Sequence, residues 1–306
     1  NPVHMDIRQL SYLVALAREK HFTRAADACG ITQPTLSLRI QQLEQELGVP
    51  IVIRGNRYLG LTAEGERVLK LAQSVLEGVD GLRDELAHAA DAPLGRLTFG
   101  AIPSALPTLA PLTDAMRQRF PKLAFTVLSL SSEEIRRSLE DFSIDVGVTY
   151  LDNEPIDLAV SKPLYLERYR LFVRDDHPLA NRDSVEWAEA AKYPVSLLTP
   201  NMQNRRIIES AFRKAGAQVE PELESNSIVN LYTHVQMAGL ATVLPEIFIG
   251  LMGDTGRVRA IPLIAPVVEH SVGLVAHARD PLPKVVKAML DLADDYRLPS
   301  SLAHSS

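Results

Sequence analysis

Between Gly30 and Leu47 the sequence GITQPTLSLRIQQLEQEL carries two kinds of side chain at helical spacing. Leu36, Ile40, Leu43 and Leu47 cluster on one face of a helix. Pro34, Thr35, Leu38, Gln41, Gln42 and Gln45 fall on the other, with Ser37 and Arg39 at the flanks and Gln33 in the first turn. The apolar stripe is enough to hold the helix to a core, so the amides and hydroxyls need a second partner. Their chemistry is hydrogen bonding rather than bond breaking. Gln pairs bidentately with adenine, Ser and Thr read either base, and exposed aliphatic carbon touches a thymine methyl. Arg39 and the backbone amides near Thr32 suit phosphate. Leu38 faces away from the stripe, where water alone would select a polar residue. A solvated face with one stray leucine is the plain alternative, and the flanking elements decide against it.

Those elements form a frame. A first helix is expected from Asp6 as N-cap to Lys20, with Leu10, Leu13, Val14 and Ala17 on one face. A second is expected to begin at a Thr23 cap and stop at Gly30. Thr32 then caps the third helix, Pro34 is tolerated in its first turn, and Gly48 ends it. Two short helices joined by a glycine turn are a helix-turn-helix pattern. The stretch PIVIRGNRYLGLT reads as two strands, Ile51–Ile53 and Tyr58–Leu61, with Arg54 and Arg57 at a hairpin tip. Thr62 caps a long helix with Glu64 and Glu66 near its positive end. Its Val68, Ala72, Val75, Val79, Leu82 and Leu86 recur at spacings of four and three, a coiled-coil seam that predicts a dimer.

From Leu94 the pattern changes to strands alternating with helices, and it does so twice. RLTFGA, LAFTVLSL and IDVGVTY form one round; RYRLFVR, YPVSLLTP and LYTHVQMAGLATVLP form another, closed by SVGLVAHA and a helix from Pro283 to about Tyr296. This predicts two α/β lobes with a cleft between them. At 306 residues the chain has room for two or three domains, and 46% apolar with 23% charged residues is an ordinary globular composition. The net charge of −6 is uneven: residues 1–62 hold seven bases against five acids, and the remainder 25 against 33. A DNA-facing head on an acidic body fits that asymmetry. No apolar run reaches the length of a membrane span, and the first residues lack a signal-peptide layout. One cysteine, Cys29, excludes an internal disulfide framework and fits a reducing cytoplasm.

Residues Asp6 to about Leu71 resemble the N-terminal signature of the LysR-type transcriptional regulators. The matching text is LSYLVALAREKHFTRAADACGITQPTLSLRIQQLEQELGVPIVIR followed by LTAEGE. Thr23, Ala25, Ala26, Gln33, Pro34 and Ser37 stand at signature positions, and Arg54 matches the wing arginine. Leu38 departs from a position commonly polar or basic, and Val52-Ile53 replaces a Leu-Phe pair. The resemblance implies an α+β multidomain fold. Its parts are a winged helix-turn-helix over 5–62, a linker and dimerisation helix over 63–91, and a periplasmic-binding-protein-like effector domain. Lobe I is expected over 94–162 and 268–300, and lobe II over 163–267. It also implies a homodimer through the linker helix, a homotetramer, and double-stranded DNA bound and bent at an interrupted palindrome. Control of a nearby promoter by a small-molecule co-inducer, with RNA polymerase as a further partner, completes what it implies. The DNA-binding residues expected are Thr23, Thr32, Gln33, Pro34, Thr35, Ser37, Leu38, Arg39, Gln41, Arg54 and Arg57.

A co-inducer belongs at the carboxyl ends of strands, where helix starts converge. Ser104, Ser131, Ser132, Thr149 and Tyr150 stand there in lobe I; Thr199, Pro200, Asn201 and Asn226 stand there in lobe II. Amides and hydroxyls without arginine at those strand ends suit a small anion. Catalytic motifs are missing from the sequence: it has no GxSxG, GxGxxG, HExxH or cysteine pair, so neither an enzyme nor a metal site is expected. The rival reading is a solute-binding protein using the two lobes alone, which the DNA-reading head opposes.

Overall fold

The computed structural model describes residues 5–53, 58–87, 95–156, 159–252, 256–279 and 281–298. The chain divides into two compact units, Asn1–Pro93 and Leu94–Ser306, each with its own apolar core.

In the first unit, α1 (Ile7–Glu19) begins at Asp6 in a reciprocal cap: the Asp6 carboxylate accepts from the Arg8 amide, and Gln9 Oε1 accepts from the Asp6 amide. The second helix, α2 (Phe22–Ala28), is capped at His21, so Thr23 lies inside its first turn rather than capping it. Phe22 packs against this core and meets Tyr58 edge-on at 6.3 Å, which fits a cap two residues earlier than expected. Thr32 holds the N-cap position of α3 (Gln33–Leu47), but its Oγ1 pairs with Thr35 Oγ1 at 2.8 Å instead of a backbone amide. Gly48 ends the helix in the left-handed region. The wing base is a single antiparallel bridge, Val52 to Leu61, with the Ile53 amide donating to the Gly60 carbonyl at 3.0 Å.

Thr62 Oγ1 caps α4 (Ala63–Ala87) by accepting from the Gly65 amide at 2.9 Å. A Cβ on Gly65 would lie 2.2 Å from the Ile51 carbonyl oxygen, so only glycine lets this helix start so close to the wing. Along α4, Ala72 lies in the core of the unit, and Val68, Leu69 and Leu76 pack against it. Leu71 and Val75 face outward, 69% and 44% exposed. The seam expected from sequence is therefore divided. Val68 and Ala72 close the unit's own core, while Val75, a heptad on from Val68 and on nearly the same face, stands exposed beside Leu71.

The second unit runs β1 (Gly95–Ala101), α5 (Leu109–Arg119), β2 (Leu123–Ser129), α6 (Ser132–Glu140), β3 (Val146–Tyr150) and β4 (Ala159–Arg174). It continues β5 (Val185–Glu186), α7 (Trp187–Ala190), β6 (Val195–Leu198), α8 (Gln203–Lys214), β7 (Leu223–Ser225) and α9 (Ile228–Ala238). It closes with β8 (Ala241–Pro245), α10 (Ile247–Met252), β9 (Val258–Ile264), β10 (Glu269–His277) and α11 (Lys284–Leu292). The strands pair in the order β2-β1-β3-β10-β4-β8-β6-β7, with β9 joining β4 and β5. Parallel pairs β1–β2, β1–β3, β6–β7 and β6–β8 are joined through helices, because parallel neighbours need a crossover connection.

The strand β4 belongs to both lobes. It pairs with β10 from Ala159 to Arg168, and with β8 and β9 from Tyr169 to Arg174. The break expected between 162 and 163 lies inside this strand, which starts well before RYRLFVR. Pro163 is accommodated there opposite Gly273, where the register shifts and a ladder bond is not required. A Cβ on Gly273 would lie 2.3 Å from the Lys162 carbonyl oxygen. The chain returns from lobe II to lobe I between β9 and β10, so 265–268 and the middle of β4 are the two crossings.

Candidate functional site

On α3 the Leu36, Ile40 and Leu43 side chains are buried, and what remains outside is the polar face. Thr23, Thr32, Gln33, Pro34, Thr35, Leu38 and Arg39 are exposed; Ser37 and Gln41 are half-buried. Leu38 is 54% exposed, well clear of the core. Arg39 reaches Gln42 Oε1 at 3.3 Å, an exposed contact that leaves its guanidinium at the surface. Arg54 and Arg57 lie outside the described residues. One contact that sequence did not suggest ties α3 to the wing. Glu44 Oε1 accepts from the amides of Ile51 at 2.9 Å and Val52 at 3.0 Å, so a helix residue holds the first strand of the wing.

In the second unit the lobes are fastened at the start of α8. Ser132 Oγ, from lobe I, donates to Gln203 Oε1 at 2.5 Å. The Gln203 amide nitrogen donates to the Asn153 carbonyl and side-chain oxygen. Asn204 Nδ2 donates to the Tyr150 hydroxyl at 3.1 Å, and Arg206 pairs with Glu154 at 2.5 Å. Of the residues expected to line a cleft, Ser104, Ser132 and Tyr150 thus join this region as buried polar groups. Thr149 is buried beside them in sequence, and its hydroxyl has no hydrogen-bond partner among the described residues; the Thr199 hydroxyl is in the same state.

Other expected residues have different surroundings. Ser131 caps α6: its amide and hydroxyl each donate to Glu134 Oε2 at 2.7 Å, and its oxygen receives the Glu134 amide. Those bonds hold the Glu134 carboxyl below its ordinary range, so the start of α6 already has an anion of its own. Pro200 and Asn201 are exposed, and their carbonyls accept from Arg206 at 3.3 and 3.2 Å. Asn226 is exposed ahead of α9, where Ser227 is the cap. The buried Arg205 is committed to Glu209 at 2.8 Å, Glu224 at 2.7 Å and the Leu198 carbonyl at 2.7 Å.

Beneath the fastening lies a carboxyl that the sequence reading passed over. Glu167 is buried in the middle of β4. Its Oε1 accepts from the Tyr150 hydroxyl at 2.5 Å, and its Oε2 from Tyr165 at 3.4 Å. The Tyr150 oxygen in turn accepts from Tyr169 at 3.1 Å and from Asn204, with Ser104 Oγ at 3.4 Å. Burial pushes the Glu167 carboxyl up to about 7 and outweighs the hydroxyl donors, which act the other way. The same burial raises the hydroxyls of Tyr150, Tyr165 and Tyr169 far above the ordinary tyrosine range. The available sequence signal was Tyr165-x-Glu167-x-Tyr169, a period of two that puts all three on one face of a strand. Among the described residues no cluster of His, Cys, Asp and Glu could hold a metal.

An exposed polar recognition face on a helix-turn-helix, followed by a two-lobed α/β domain, defines a DNA-binding regulator with an effector domain. Residues 7–66 match the family described as bacterial regulatory helix-turn-helix protein, lysR family, and residues 90–297 match LysR substrate binding domain. The chain belongs to the LysR family of bacterial regulators. It is 32% identical over 279 residues to the DNA-binding transcriptional dual regulator OxyR of Escherichia coli (strain K12), covering 91% of each chain. It is 30% identical over 279 residues to a hydrogen peroxide-inducible genes activator of Pectobacterium carotovorum subsp. carotovorum, covering 91% of this chain and 92% of that one. Among solved structures, a full-length OxyR variant from Pseudomonas aeruginosa superposes with a TM-score of 0.78 at 29% identity, over 97% of this chain and 96% of that one. The chain is a sequence-specific DNA-binding transcriptional regulator whose C-terminal domain binds a small-molecule effector. Among the described residues no helix is long and apolar enough to cross a membrane.

Proposed function

We propose that the outer face of α3 reads base edges in the major groove. Gln33, Thr35, Ser37 and Gln41 supply the hydrogen bonds, and Leu38 the apolar contact. Thr23, Thr32, Pro34, Arg39, Arg54 and Arg57 set the register on the phosphates. The observation that carries this reading is the exposure of these side chains on a helix whose apolar stripe is fully used by its own core. The operator is an interrupted palindrome near the promoter the protein controls, where RNA polymerase is the further partner, in the cytoplasm. A homodimer through α4, assembling into a homotetramer, is supported by the outward row that begins at Leu71 and Val75.

The effector site lies between the lobes, around Ser104, Ser132, Thr149, Tyr150 and the start of α8, with Ser131, Pro200, Asn201 and Asn226 at its margin. The class proposed is a small anion of single charge, held by amides and hydroxyls. The cations nearest the start of α8, Arg205 and Arg206, are already matched by carboxylates, which leaves no counter-charge there for a dianion. Peroxide read by a thiol does not suit this chain. The thiolate is the group that peroxide oxidises, and residues 94–306 contain no cysteine.

The test is a fluorescence anisotropy titration with DNA upstream of this chain's own gene, against random DNA, across rising salt. A specific complex whose affinity falls steeply with salt supports the reading; equal affinity for both DNAs at every salt concentration removes it. For the assembly, Val75→Asp places two carboxylates against each other in a dimer joined through α4. Light scattering is expected to show the dimer lost, and an unchanged mass would point the row elsewhere.

A further inference from the structure

The groups around Tyr150 have a topological property that the effector reading does not use. Ser104 and Glu167 come from lobe I, since β4 is still paired with β10 at Glu167. Tyr169 and Asn204 come from lobe II, since β4 has changed partner by Tyr169 and α8 follows β6. One hydroxyl oxygen is therefore bonded from both lobes, directly over the point where the chain crosses between them. The second crossing is tied to the same domain differently: Trp187 Nε1, at the start of α7, donates to the Pro266 carbonyl at 2.8 Å.

Glu167 is the ionisable centre of this junction, and the groups facing it can be counted. From β4 come Tyr165 and Tyr169, and from β3 Tyr150. From β10 comes His270, opposite Glu167 in register, edge-on to the Tyr150 ring at 5.9 Å and 3.1 Å from Asp152. Tyr296, beyond α11, faces Tyr165 and donates to the Thr108 carbonyl. Arg168 and Glu269, the sequence neighbours on either strand, pair with each other at 2.5 Å. Among the described residues the hydrogen-bond partners of Glu167 are the Tyr150 and Tyr165 hydroxyls, with no cation, so its charge is met there by hydroxyl donors alone. A neutral carboxyl fits the same geometry without that cost: a proton on Oε2 donates to Tyr165, while Oε1 still accepts from Tyr150 and the bonds from Tyr169 and Asn204 stay in place.

We propose that closure of the two lobes takes up one proton at Glu167, so that acid favours the fastened arrangement and alkali favours opening of the Tyr150 junction to water. The reason is linkage. A carboxyl that is dry when the lobes close and hydrated when they part has its higher proton affinity in the closed state, and the state that binds the proton more tightly gains as pH falls. The direction agrees with the raised proton affinity of Glu167 in the fastened structure. This concerns the lobes alone and does not depend on what binds between them.

The chain has one tryptophan, Trp187, and it touches the second crossing, so its emission reports the junction without a label. In the full-length, effector-free protein, raising pH through 7 is expected to shift that emission to the red along a one-proton curve. Glu167→Gln is expected to abolish the transition, while His270→Gln leaves it in place. Tyr150→Phe removes the shortest donor to the charged carboxyl and is expected to move the midpoint to higher pH. A folded wild type with no transition, a shift to the blue, or a transition that persists in Glu167→Gln overturns the proposal. If Glu167→Gln does not fold, Tyr150→Phe decides: an unmoved midpoint overturns it too.

Discussion

The two units place their polar chemistry on opposite sides of their surfaces. In the first, the buried side chains among the described residues are apolar but for Gln9 of α1, and the groups proposed to read DNA stand outside the core, on the half of α3 that the stripe leaves free. In the second, Ser104, Ser132, Thr149, Glu167, Gln203 and Asn204 are buried; Ser132 bonds Gln203, and Ser104, Glu167 and Asn204 meet at the Tyr150 hydroxyl. A ligand as large as DNA is met by a convex face that costs nothing to keep hydrated. A small effector calls for groups withdrawn from water, and each of those must be paired or it destabilises the fold. The first unit can therefore change its reading residues without changing its stability, whereas the second cannot.

That contrast can be broken by experiment. The largest effect is expected at Leu36→Ala, which empties a fully buried position of α3 and should cost the first unit about 2–5 kcal/mol in urea unfolding. Next comes pH. The folded-state affinity of Glu167 is raised from an ordinary 4.5 to about 7. Its contribution is therefore fully present below 4.5 and is lost as pH rises through about 7, a fall of roughly 3 kcal/mol in the second unit. Unfolding curves of Glu167→Gln are expected to lack this slope; the same slope in the variant would assign it to other groups. Gln33→Ala should weaken specific DNA binding by about 1–3 kcal/mol while random DNA is bound as before; equal losses would take Gln33 out of base reading. The smallest effect is expected at Leu38→Ala. Two residues from Leu36 on the same helix, it should leave stability within about 0.5 kcal/mol and alter only operator preference. A large loss of stability there would erase the distinction between the two faces.

The same contrast explains what was legible in the sequence. On α3, burial and exposure follow from helical period alone, and the residues assigned to each face are where the structure has them. The apolar row of α4 was legible, but period cannot say which of its members a neighbouring core will claim; Val68 and Ala72 pack within the unit itself. In the second unit the ends of β1, β2 and β3 were legible, and Ser104, Ser132, Thr149 and Tyr150, proposed from them, are buried in the structure. Their partners Gln203, Asn204 and Glu167 lie 71, 54 and 17 residues away from the groups they bond, and no local pattern pairs them. Thr23 was taken for a cap because threonine is a good one; the pull of Phe22 toward Tyr58 is a tertiary effect.

Ile51 gives the first unit a mechanical property. Its amide is held by Glu44 of α3, its carbonyl takes the Thr62 amide at 2.9 Å, and Gly65 of α4 lies against that same carbonyl. α3, the base of the wing and the start of α4 therefore all meet at one residue. A rotation of α4 would be passed through Ile51 to α3, the helix proposed to read DNA. In a dimer joined through α4, the separation of the two half-sites then becomes a dimension set by how those helices cross, a caliper whose opening is fixed far from the bases it measures.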